Sequence, residues 1–441
     1  MPASSPLLPA SALLRRIFAE LGTTTADGPA SPAAPSDVPL PSRLSTGDLA
    51  WASVSAVTSL AGIRLTPDPE RIALAYRSDR VLTVDGVAPD VWSPYSGFWQ
   101  AEDGWIRTHG NYPHHAAALL AGIGLPPDAD GTHLRDAISR RTVRDAVGAI
   151  TAARGLAVAV RSEDADVDRA MYARPLFDIS RIGDGEQVVP GHRAADPDRP
   201  LAGTRVLDLT RVIAGPVCTR TLALLGADVL RVDPPHLPEP DWQHFDTGHG
   251  KRSTRLDARS DAFRHLLDAA DVVVLGYRPG SLARLGLSPA TLAARHPGLV
   301  IAQLSAWGLD DTDRAGFDSL VQAESGIAMV ESPDGTTPGA LPAQALDHSA
   351  GYLLAAAVIA LLDRRRREGG TWHVHTSLRR VAAELLRMPR RTEPARIPAV
   401  ATRDHTTSFR VDGHEVTTAR PALPGLEFSA PRPWGSDQPV W

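Results

Sequence analysis

Apolar strands and helices alternate between Arg205 and Gly308, and this alternation constrains the fold more than any other feature of the 441-residue chain. The stretches TRVLDLT, DVLRVD, DVVVLGY and LVIAQLSAWG predict buried strands, and helical stretches separate them. Parallel strands need such crossovers, so the pattern predicts an α/β fold, a Rossmann-like doubly wound parallel sheet with right-handed connections. Such a sheet binds its ligand at the carboxyl ends of its strands, where we expect the functional site.

A dinucleotide-binding site at this edge is the first alternative. Asp233 ends the second strand, as an acid that binds ribose hydroxyls would. The first turn, however, reads TRVIAGP instead of GxGxxG. Two glycines that let the backbone approach a pyrophosphate are missing, and Ile213 adds bulk, so the sequence disfavours this alternative.

A smaller α+β unit precedes the sheet. FWQAEDGWIRTHGNY predicts a hairpin with its turn at Glu102 to Gly104, and helical stretches and the strand LAVAVRS follow. The segment from Thr23 to Ser45 is rich in Ala, Pro, Ser, Thr and Asp, a composition typical of a mobile linker. We therefore expect four regions: an N-terminal helix and linker (1–46), a smaller α+β domain (47–195), the Rossmann-like domain (196–380) and a C-terminal segment that packs back on the others (381–441).

The composition of the chain limits its possible binding partners and its cellular compartment. The formal net charge of -5 offers no basic footprint, so we expect no nucleic-acid partner. The single cysteine, Cys218, leaves no intramolecular disulfide and fits a reducing compartment. The first residues lack the pattern of a secretion signal, and the longest apolar run, Ala350 to Leu362, is shorter than the about 20 residues that span a bilayer. We therefore expect a cytoplasmic protein without a membrane segment.

Histidine pairs raise the question of a metal site. His114 and His115 are adjacent, and His373 and His375 alternate along a predicted strand. Neither pair has a third ligand at a supporting spacing, and alternating histidines are more often surface residues. We therefore expect no metal, and we expect His373 and His375 at the surface.

The region from Pro200 to about Leu378 resembles the family III CoA-transferases, which include formyl-CoA and carnitine-type acyl-CoA transferases and the α-methylacyl-CoA racemases. The resemblance rests on PLAGTRVLDLTRVIAGPVCTRTLALLGADVLRVDPP, HGKRSTRLDARS, GYRPGSLARLGLSPATLAARHPGLVIAQLSAWG, GFDSLVQAESGIA and ALDHSAGYLLAAAVIALLDRRRREGGTWHVHTSL, in the family's order. It implies an enzyme that uses acyl-CoA and a carboxylic acid acceptor, with coenzyme A as a part of the substrate and no permanently bound cofactor. It also implies a homodimer, because family members interlock.

The resemblance also implies a coenzyme A pocket. Planar guanidinium groups suit the phosphates of coenzyme A, and an aromatic ring can cover its adenine. Carried over by position, the pocket contains Ile213, Ala214, Leu256, Arg259, Gly276, Tyr277, Arg278 and Arg284.

Asp347 stands where the transferases carry their nucleophile. On position alone, an aspartate before a long apolar helix is an N-cap. The resemblance instead implies that its carboxylate, ionised at neutral pH and held by the N–H groups of the helix start, attacks an acyl-CoA thioester. A mixed anhydride and then an aspartyl-CoA thioester follow, and both require water to be excluded.

The sequence departs from the family at several points. The GHD-like motif of the racemases is GFD here, and Phe317 cannot carry a proton, so racemisation by the usual pair is disfavoured. His348 follows Asp347, but neighbouring helical residues point in different directions, which makes it a solvent-facing or supporting histidine.

Two further departures concern the smaller domain and the flap. The smaller domain comes before the large one, as in a permutation or a fusion of halves, and the glycine-rich flap of some family transferases is missing; Gly183 to Gln187 is a candidate that reads better as a turn. An acyl-CoA racemase or epimerase, and a catalytically weak CoA-binding protein, therefore remain alternatives. A covalent adduct with acyl-CoA, or deuterium exchange at the α-carbon, would separate the three.

Overall fold

The computed structural model describes four stretches of the chain, residues 9–23, 37–186, 199–394 and 400–441. The linker expected between Thr23 and Ser45 lies in part outside these stretches, and the domain boundary expected near residue 195 lies outside them altogether.

The helices are, in chain order, α1 Pro9–Leu21, α2 Thr46–Leu60, α3 Pro69–Tyr76, α4 Ser78–Val81, α5 Pro113–Ile123, α6 Gly131–Ile138, α7 Val143–Ala152, α8 Ala165–Ala173, α9 Ala214–Leu224, α10 Asp241–Thr247, α11 Asp261–Asp268, α12 Pro279–Arg284, α13 Pro289–Arg295, α14 Asp318–Glu324, α15 Ile327–Val330, α16 Ala345–Glu368 and α17 Leu378–Arg387. The strands are β1 Thr83–Val84, β2 Gly97–Ala101, β3 Gly104–Thr108, β4 Ala157–Ala159, β5 Asp178–Gly183, β6 Arg205–Leu209, β7 Asp228–Asp233, β8 Arg252–Arg255, β9 Val272–Leu275, β10 Val300–Ser305, β11 Thr371–Ser377, β12 Thr406–Val411 and β13 His414–Ala419. A short 3-10 helix spans Thr402–His405.

A seven-stranded sheet forms the centre of the molecule, with the strand order β5-β11-β10-β9-β6-β7-β8. All neighbours are parallel except β5, which runs antiparallel to β11 at the edge. The apolar strand β9 is buried along its whole length, as expected for a sheet covered on both faces. The predicted Rossmann-like α/β fold is confirmed. The charged stretch of β8 was not predicted as a strand, because its sequence lacks the apolar run of its neighbours.

The strand β11 corrects the expectation for His373 and His375. Both side chains are buried, because β11 lies between β10 and β5 in the sheet. The Nε2 of His373 lies 3.1 Å from Gln303 Oε1, and that of His375 lies 2.9 Å from Ser305 Oγ. Alternation along the sequence could not reveal that this strand is covered on both faces.

The helix α16 packs against α9, α2, β10 and β11. Among the described residues it is the one helix long and apolar enough to cross a membrane by composition, and its most apolar window is completely buried inside the molecule. The apolar run from Ala350 to Leu362 thus belongs to a core helix.

The N-terminal helices alter the expected domain borders. Trp51 and Val54 of α2 are buried in the same core as α16, and α1 joins this core through Leu13 and Ile17. The strand β5, expected in the smaller domain, extends the large sheet. A helix that is apolar on nearly every face does not reveal from its sequence which core it joins.

The separate small unit is therefore shorter than the expected 47–195. It consists of the sheet β2-β3-β4 and the helices α5, α6 and α7, which share their own core. The predicted hairpin is present, with Glu102 and Asp103 in its turn. Hereafter we call residues 97–159 the small unit.

The C-terminal segment contacts the large sheet through two tryptophans. Trp434 Nε1 donates to Asp233 Oδ2 at 2.8 Å, and Trp441 Nε1 donates to the carbonyl of Leu266 at 2.9 Å. Before these anchors, β12 and β13 form a small sheet with β1.

Candidate active site

Asp347 lies in the first turn of α16 and is buried, with 6% of its surface exposed. Gly351, one helical turn later on the same face, packs directly on α9. A Cβ atom at Gly351 would lie 2.5 Å from the carbonyl oxygen of Ala214 and 2.8 Å from Val217 Cβ. Because α9 begins just after β6 ends, this contact sets the start of α16 beside the carboxyl end of the parallel strand.

The carboxylate of Asp318 caps the amino-terminal end of α16. The backbone N–H of Asp347 donates to Asp318 Oδ2 at 2.9 Å, and Gln322 Nε2 donates to the other oxygen of Asp318. Gln322 is itself held by the N–H of Leu341, which donates to its Oε1 at 2.9 Å. The carboxylate of Asp347 accepts no hydrogen bond from any residue within the described stretches. The expectation that the N–H groups of the helix start hold Asp347 is therefore wrong, because they face Asp318.

The two carboxyl groups perturb each other. Burial, and then the negative charge of Asp318, raises the pKa of Asp347 well above its usual range. Burial raises the pKa of Asp318 to about 6, against hydrogen bonds from Gln322 and from the N–H groups of Asp347 and Leu346. Both shifts favour protonation within the pair, and the hydrogen bonds to Asp318 favour the negative charge on that residue. The raised pKa of Asp347 disfavours the ionised form that the resemblance implies for the free protein.

The small unit contributes a histidine that sequence reasoning missed. The ring of His109 stacks on Phe317 with a centroid distance of 3.8 Å and an interplanar angle of 3°. Burial, followed by the electrostatic effects of nearby His115 and Arg107, lowers the pKa of His109 to about 3, so its ring is neutral. Its Nδ1 is buried without a hydrogen-bond partner among the described residues. The segment THGNYPHH shows three histidines close together, but only the tertiary structure brings one of them to the GFD motif.

Aromatic and basic side chains continue from Phe317 toward the sheet. The ring of His115 lies 5.9 Å from that of Phe317, and burial followed by the charges of His114, Arg278 and Arg211 lowers the pKa of His115 to about 4. Tyr112, at the start of α5, carries the guanidinium of Arg211 over its ring at 4.9 Å. Arg211 follows β6, so the small unit meets the large sheet at the carboxyl ends of its strands.

Four of the residues expected to bind coenzyme A lie together at these strand ends. Ile213 and Ala214 follow β6, and Gly276 and Tyr277 follow β9, its neighbour in the sheet. Gly276 is exposed, and a Cβ there would lie 3.0 Å from Thr210. The hydroxyl of Tyr277 is buried and has no partner within the described residues.

The turn before α9 is strained. Val212 adopts a φ of 73°, a backbone conformation that β-branched residues rarely take, and its N–H donates to Glu239 Oε1 at 2.9 Å. Strain of this kind concentrates at binding sites. It agrees with a functional role for the VIA turn that contains Ile213 and Ala214.

The other four expected residues are more dispersed. The N–H of Leu256 donates to the carbonyl of Asp233 at the end of β7. Arg278 and Arg284 both contact Asp313, Arg284 through an ion pair of 2.9 Å between exposed side chains.

Arg259 is also exposed, and it lines a cavity of about 460 Å³ together with Arg264 and Arg295 among other residues. This cavity offers positive charge at the surface, and Asp347 is not among the residues that line it.

His348 does not share the surroundings of Asp347. Its ring is buried and stacks on Tyr76 of α3 at 5.1 Å. The expected solvent-facing position is therefore wrong, because α3 covers this side of α16. The candidate flap at Gly183 lies at the end of β5, opposite the first residue of β11, Thr371. It thus lies at the amino ends of the parallel strands, whereas the candidate site lies at their carboxyl ends. Gln187 lies outside the described residues.

Comparison with known proteins shows which protein family the sequence resembles. Residues 201–392 match the family described as CoA-transferase family III. A probable fatty acyl-CoA transferase of Mycobacterium tuberculosis, Rv3272, is 36% identical over 211 residues, which cover 43% of this chain and 53% of that protein. An acyl-CoA transferase of Gibberella moniliformis is 28% identical over 320 residues, 66% of this chain and 56% of that protein. A succinyl-CoA:mesaconate CoA-transferase of Haloarcula hispanica is 31% identical over 203 residues, 40% of this chain and 51% of that protein.

The chain thus spans about half the length of these three relatives. The matched residues include the strand ends from β6 onward, Asp318 and Asp347. This part of the chain is therefore similar to the CoA-transferase family III.

Proposed function

We propose that the protein transfers coenzyme A from an acyl-CoA to a carboxylic acid, with Asp347 as the nucleophile. The observation that carries the proposal is the state of Asp347: its carboxyl group is buried at the strand ends, yet it accepts no hydrogen bond from the described residues. Asp318 provides the cap, so a structural role does not explain Asp347. The names of the relatives, as acyl-CoA or CoA-transferases, support the same reaction class.

The reaction begins with the removal of the proton from Asp347. Asp318, whose carboxylate faces the same helix start, is the base that the site offers for this proton. The carboxylate of Asp347 then attacks the thioester carbonyl, the C–S bond breaks, and coenzyme A leaves as a thiolate. The product on the protein is a mixed anhydride between the acyl group and Asp347.

The thiolate next attacks the aspartyl carbonyl of the anhydride. This step forms an aspartyl-CoA thioester and releases the donor acid. The carboxylate of the acceptor attacks the thioester, forms a second anhydride and releases the thiolate again. Attack of the thiolate on the acceptor's carbonyl gives the new acyl-CoA and restores Asp347. The burial of Asp347 protects both anhydrides from water.

The test is intact-protein mass spectrometry after mixing with an acyl-CoA. The wild type should accumulate a covalent coenzyme A adduct, whereas D347A should show neither adduct nor turnover. The matched control is D166A, since Asp166 also lies in the first turn of a helix but is exposed. A D347A protein that retains turnover would contradict the proposed nucleophile, and a wild type that binds acyl-CoA without any adduct or turnover would favour the CoA-binding alternative.

A racemase or epimerase is the second candidate, and one observation favours it. The neutral ring of His109, stacked on Phe317, brings a proton acceptor close to the position of the missing motif histidine. This activity would exchange solvent deuterium into the α-carbon of a 2-methylacyl-CoA without any acceptor acid. H109F should abolish that exchange and leave CoA transfer intact if both activities exist.

We also propose a homodimer, as the family resemblance implies, and a cytoplasmic location, which the single cysteine fits. Light scattering coupled to gel filtration would measure the mass of the assembly, and a monomer at all concentrations would contradict the dimer. Fractionation of the source cells would locate the protein.

A further inference from the structure

Arg107 of β3 is a half-buried arginine whose side chain has no ionic partner among the described residues. Arg231 pairs with Asp233 and Glu239, and Arg380 pairs with Glu384. Arg107, in contrast, makes no ion pair or hydrogen bond through its side chain with any residue in the described stretches. Its Nε is buried without a partner. Partial burial of a guanidinium without a paired counter-ion costs free energy, which calls for an explanation.

The small unit directs Arg107 toward the candidate site. Arg107 lies opposite Val158 in the pairing of β3 with β4, so both side chains share one face of the small sheet. On that face, Val158 packs in one cluster with Leu320 of α14 and with Phe317. Arg107 therefore faces the end of α14 that begins with Asp318, whose charge acts on the guanidinium.

Two aromatic rings fix the guanidinium. Its Cζ lies 4.8 Å from the ring centre of Phe98 and 5.1 Å from that of Trp92. The charge is largely desolvated, since burial lowers the pKa of Arg107 to about 10 against the attraction of Asp318. A guanidinium that is oriented by its neighbours, desolvated and unpaired is suited to bind a carboxylate in bidentate fashion.

We infer that Arg107 binds a carboxylate group of the acid substrate beside Asp347 and Asp318. This inference rests on the proposed function and names the part of the protein that recognises the acid. The carboxylate is either the group that receives coenzyme A or the second carboxylate of a dicarboxylic acid. In both cases the substrate supplies the anion that Arg107 lacks in the free protein.

A purely structural role for Arg107 makes the opposite prediction for stability. If the contacts with Phe98 and Trp92 were its purpose, its loss would destabilise the protein. If Arg107 is kept for binding, replacement by methionine, which fills similar space without charge, should raise or preserve the melting temperature. The combination of preserved stability and lost binding is therefore specific to the binding role.

The experiment compares wild type, R107M and the control R135Q. Arg135 also lies over a tryptophan, Trp99, in the small unit, but it is exposed. Calorimetric titration with succinate and with butyrate measures acid binding, and steady-state kinetics with acetyl-CoA measures the KM of each acid. We expect R107M to weaken acid binding and to raise the KM of the acid by about ten- to a hundredfold, the range for a lost hydrogen-bonded charge, with the KM of acetyl-CoA unchanged.

The two acids distinguish the two sources of the carboxylate. Equal losses for succinate and butyrate indicate the reacting carboxylate, and a loss for succinate alone indicates the second one. Unchanged binding of both acids in R107M would overturn the inference, as would a lowered melting temperature without a loss of binding. Should R107M not fold, R107Q serves in the same comparison.

The titration also separates this inference from the proposed function. Acid binding that depends on Arg107, in a wild type that forms no adduct with acyl-CoA, would leave the inference standing and refute the transferase. An adduct in the wild type with acid binding independent of Arg107 would do the reverse.

Discussion

The backbone N–H of Asp347 donates to Oδ2 of Asp318 at 2.9 Å, so a carboxylate from α14 caps the start of α16. The arrangement frees the side chain of Asp347 and at the same time places a negative charge beside it. This contact leaves the carboxyl group of Asp347 unpartnered, and the charge of Asp318 adds to burial, the larger cause, in raising its pKa. The raised pKa favours the protonated form of Asp347, and a higher pH favours its ionisation.

Asn in place of Asp318 should shift the pH dependence of catalysis. D318N keeps an oxygen that accepts the N–H of Asp347 but removes the charge, so the pKa of Asp347 should fall. Because activity requires ionised Asp347, the acid limb of kcat/KM for the acyl-CoA should move to lower pH. Rates measured across the pH range test this expectation, and the maximal rate should also fall because D318N removes the base proposed for the proton of Asp347.

The control for D318N is E324Q. Glu324 ends the same helix and pairs with Arg314, so its loss should leave the pH profile in place. A profile of D318N that coincides with the wild type, or that moves to higher pH, would show that Asp318 does not set the pKa of Asp347.

The same burial should cost stability at neutral pH. An acid whose pKa is raised by folding binds more protons in the folded state, so stability falls as pH rises from about 4, its unfolded value, through the raised value. D347N removes this loss. We expect the melting temperature of D347N to exceed that of the wild type near neutral pH and the difference to shrink toward pH 4.

D166N is the control for this measurement, because Asp166 is exposed in a first helical turn. A D347N protein that gains nothing at neutral pH would show that the carboxyl group of Asp347 is not destabilised by its surroundings.

Alanine at Gly351 should displace the start of α16. The added Cβ would lie 2.5 Å from the carbonyl oxygen of Ala214. Because this oxygen belongs to the backbone, it cannot avoid the clash by a change of rotamer. We expect destabilisation of about 1–3 kcal/mol, typical of overpacking, and a loss of activity because Asp347 moves with the helix. Denaturant unfolding and turnover measure the two effects.

G148A provides the matched comparison. Gly148 is also inside a helix, α7, but a Cβ there meets nothing within 4 Å. Its replacement should stabilise slightly, by about 0.5–1 kcal/mol, since alanine favours the helix. Equal effects of the two substitutions would mean that the contact between α16 and α9 does not constrain Gly351.

The sequence allowed the prediction of the sheet and of the region around Asp347 but not of the surroundings of that residue. Apolar runs such as that of β9 follow directly from burial on both faces. The family motifs point to Asp347 because they include it. By contrast, Arg107 and His109 reach the site through the packing of the small unit on α14, and no local pattern encodes such a contact. The raised pKa of Asp347 was missed for the same reason, since it depends on Asp318, 29 residues earlier in the chain.

Tyr277 provides a test of coenzyme A binding at the ends of β6 and β9. If its ring covers the adenine, Y277A should raise the KM of the acyl-CoA by about tenfold, the combined effect of a lost aromatic contact and lost burial, without changing the KM of the acid. Y277F keeps the ring and removes a hydroxyl that is buried without a partner among the described residues, so it should bind acyl-CoA like the wild type and be at least as stable. Steady-state kinetics with both substrates and thermal melts give the comparison. Equal KM values for acyl-CoA in Y277A and the wild type would place the nucleotide elsewhere, and the basic cavity that Arg259 lines would become the next region to test.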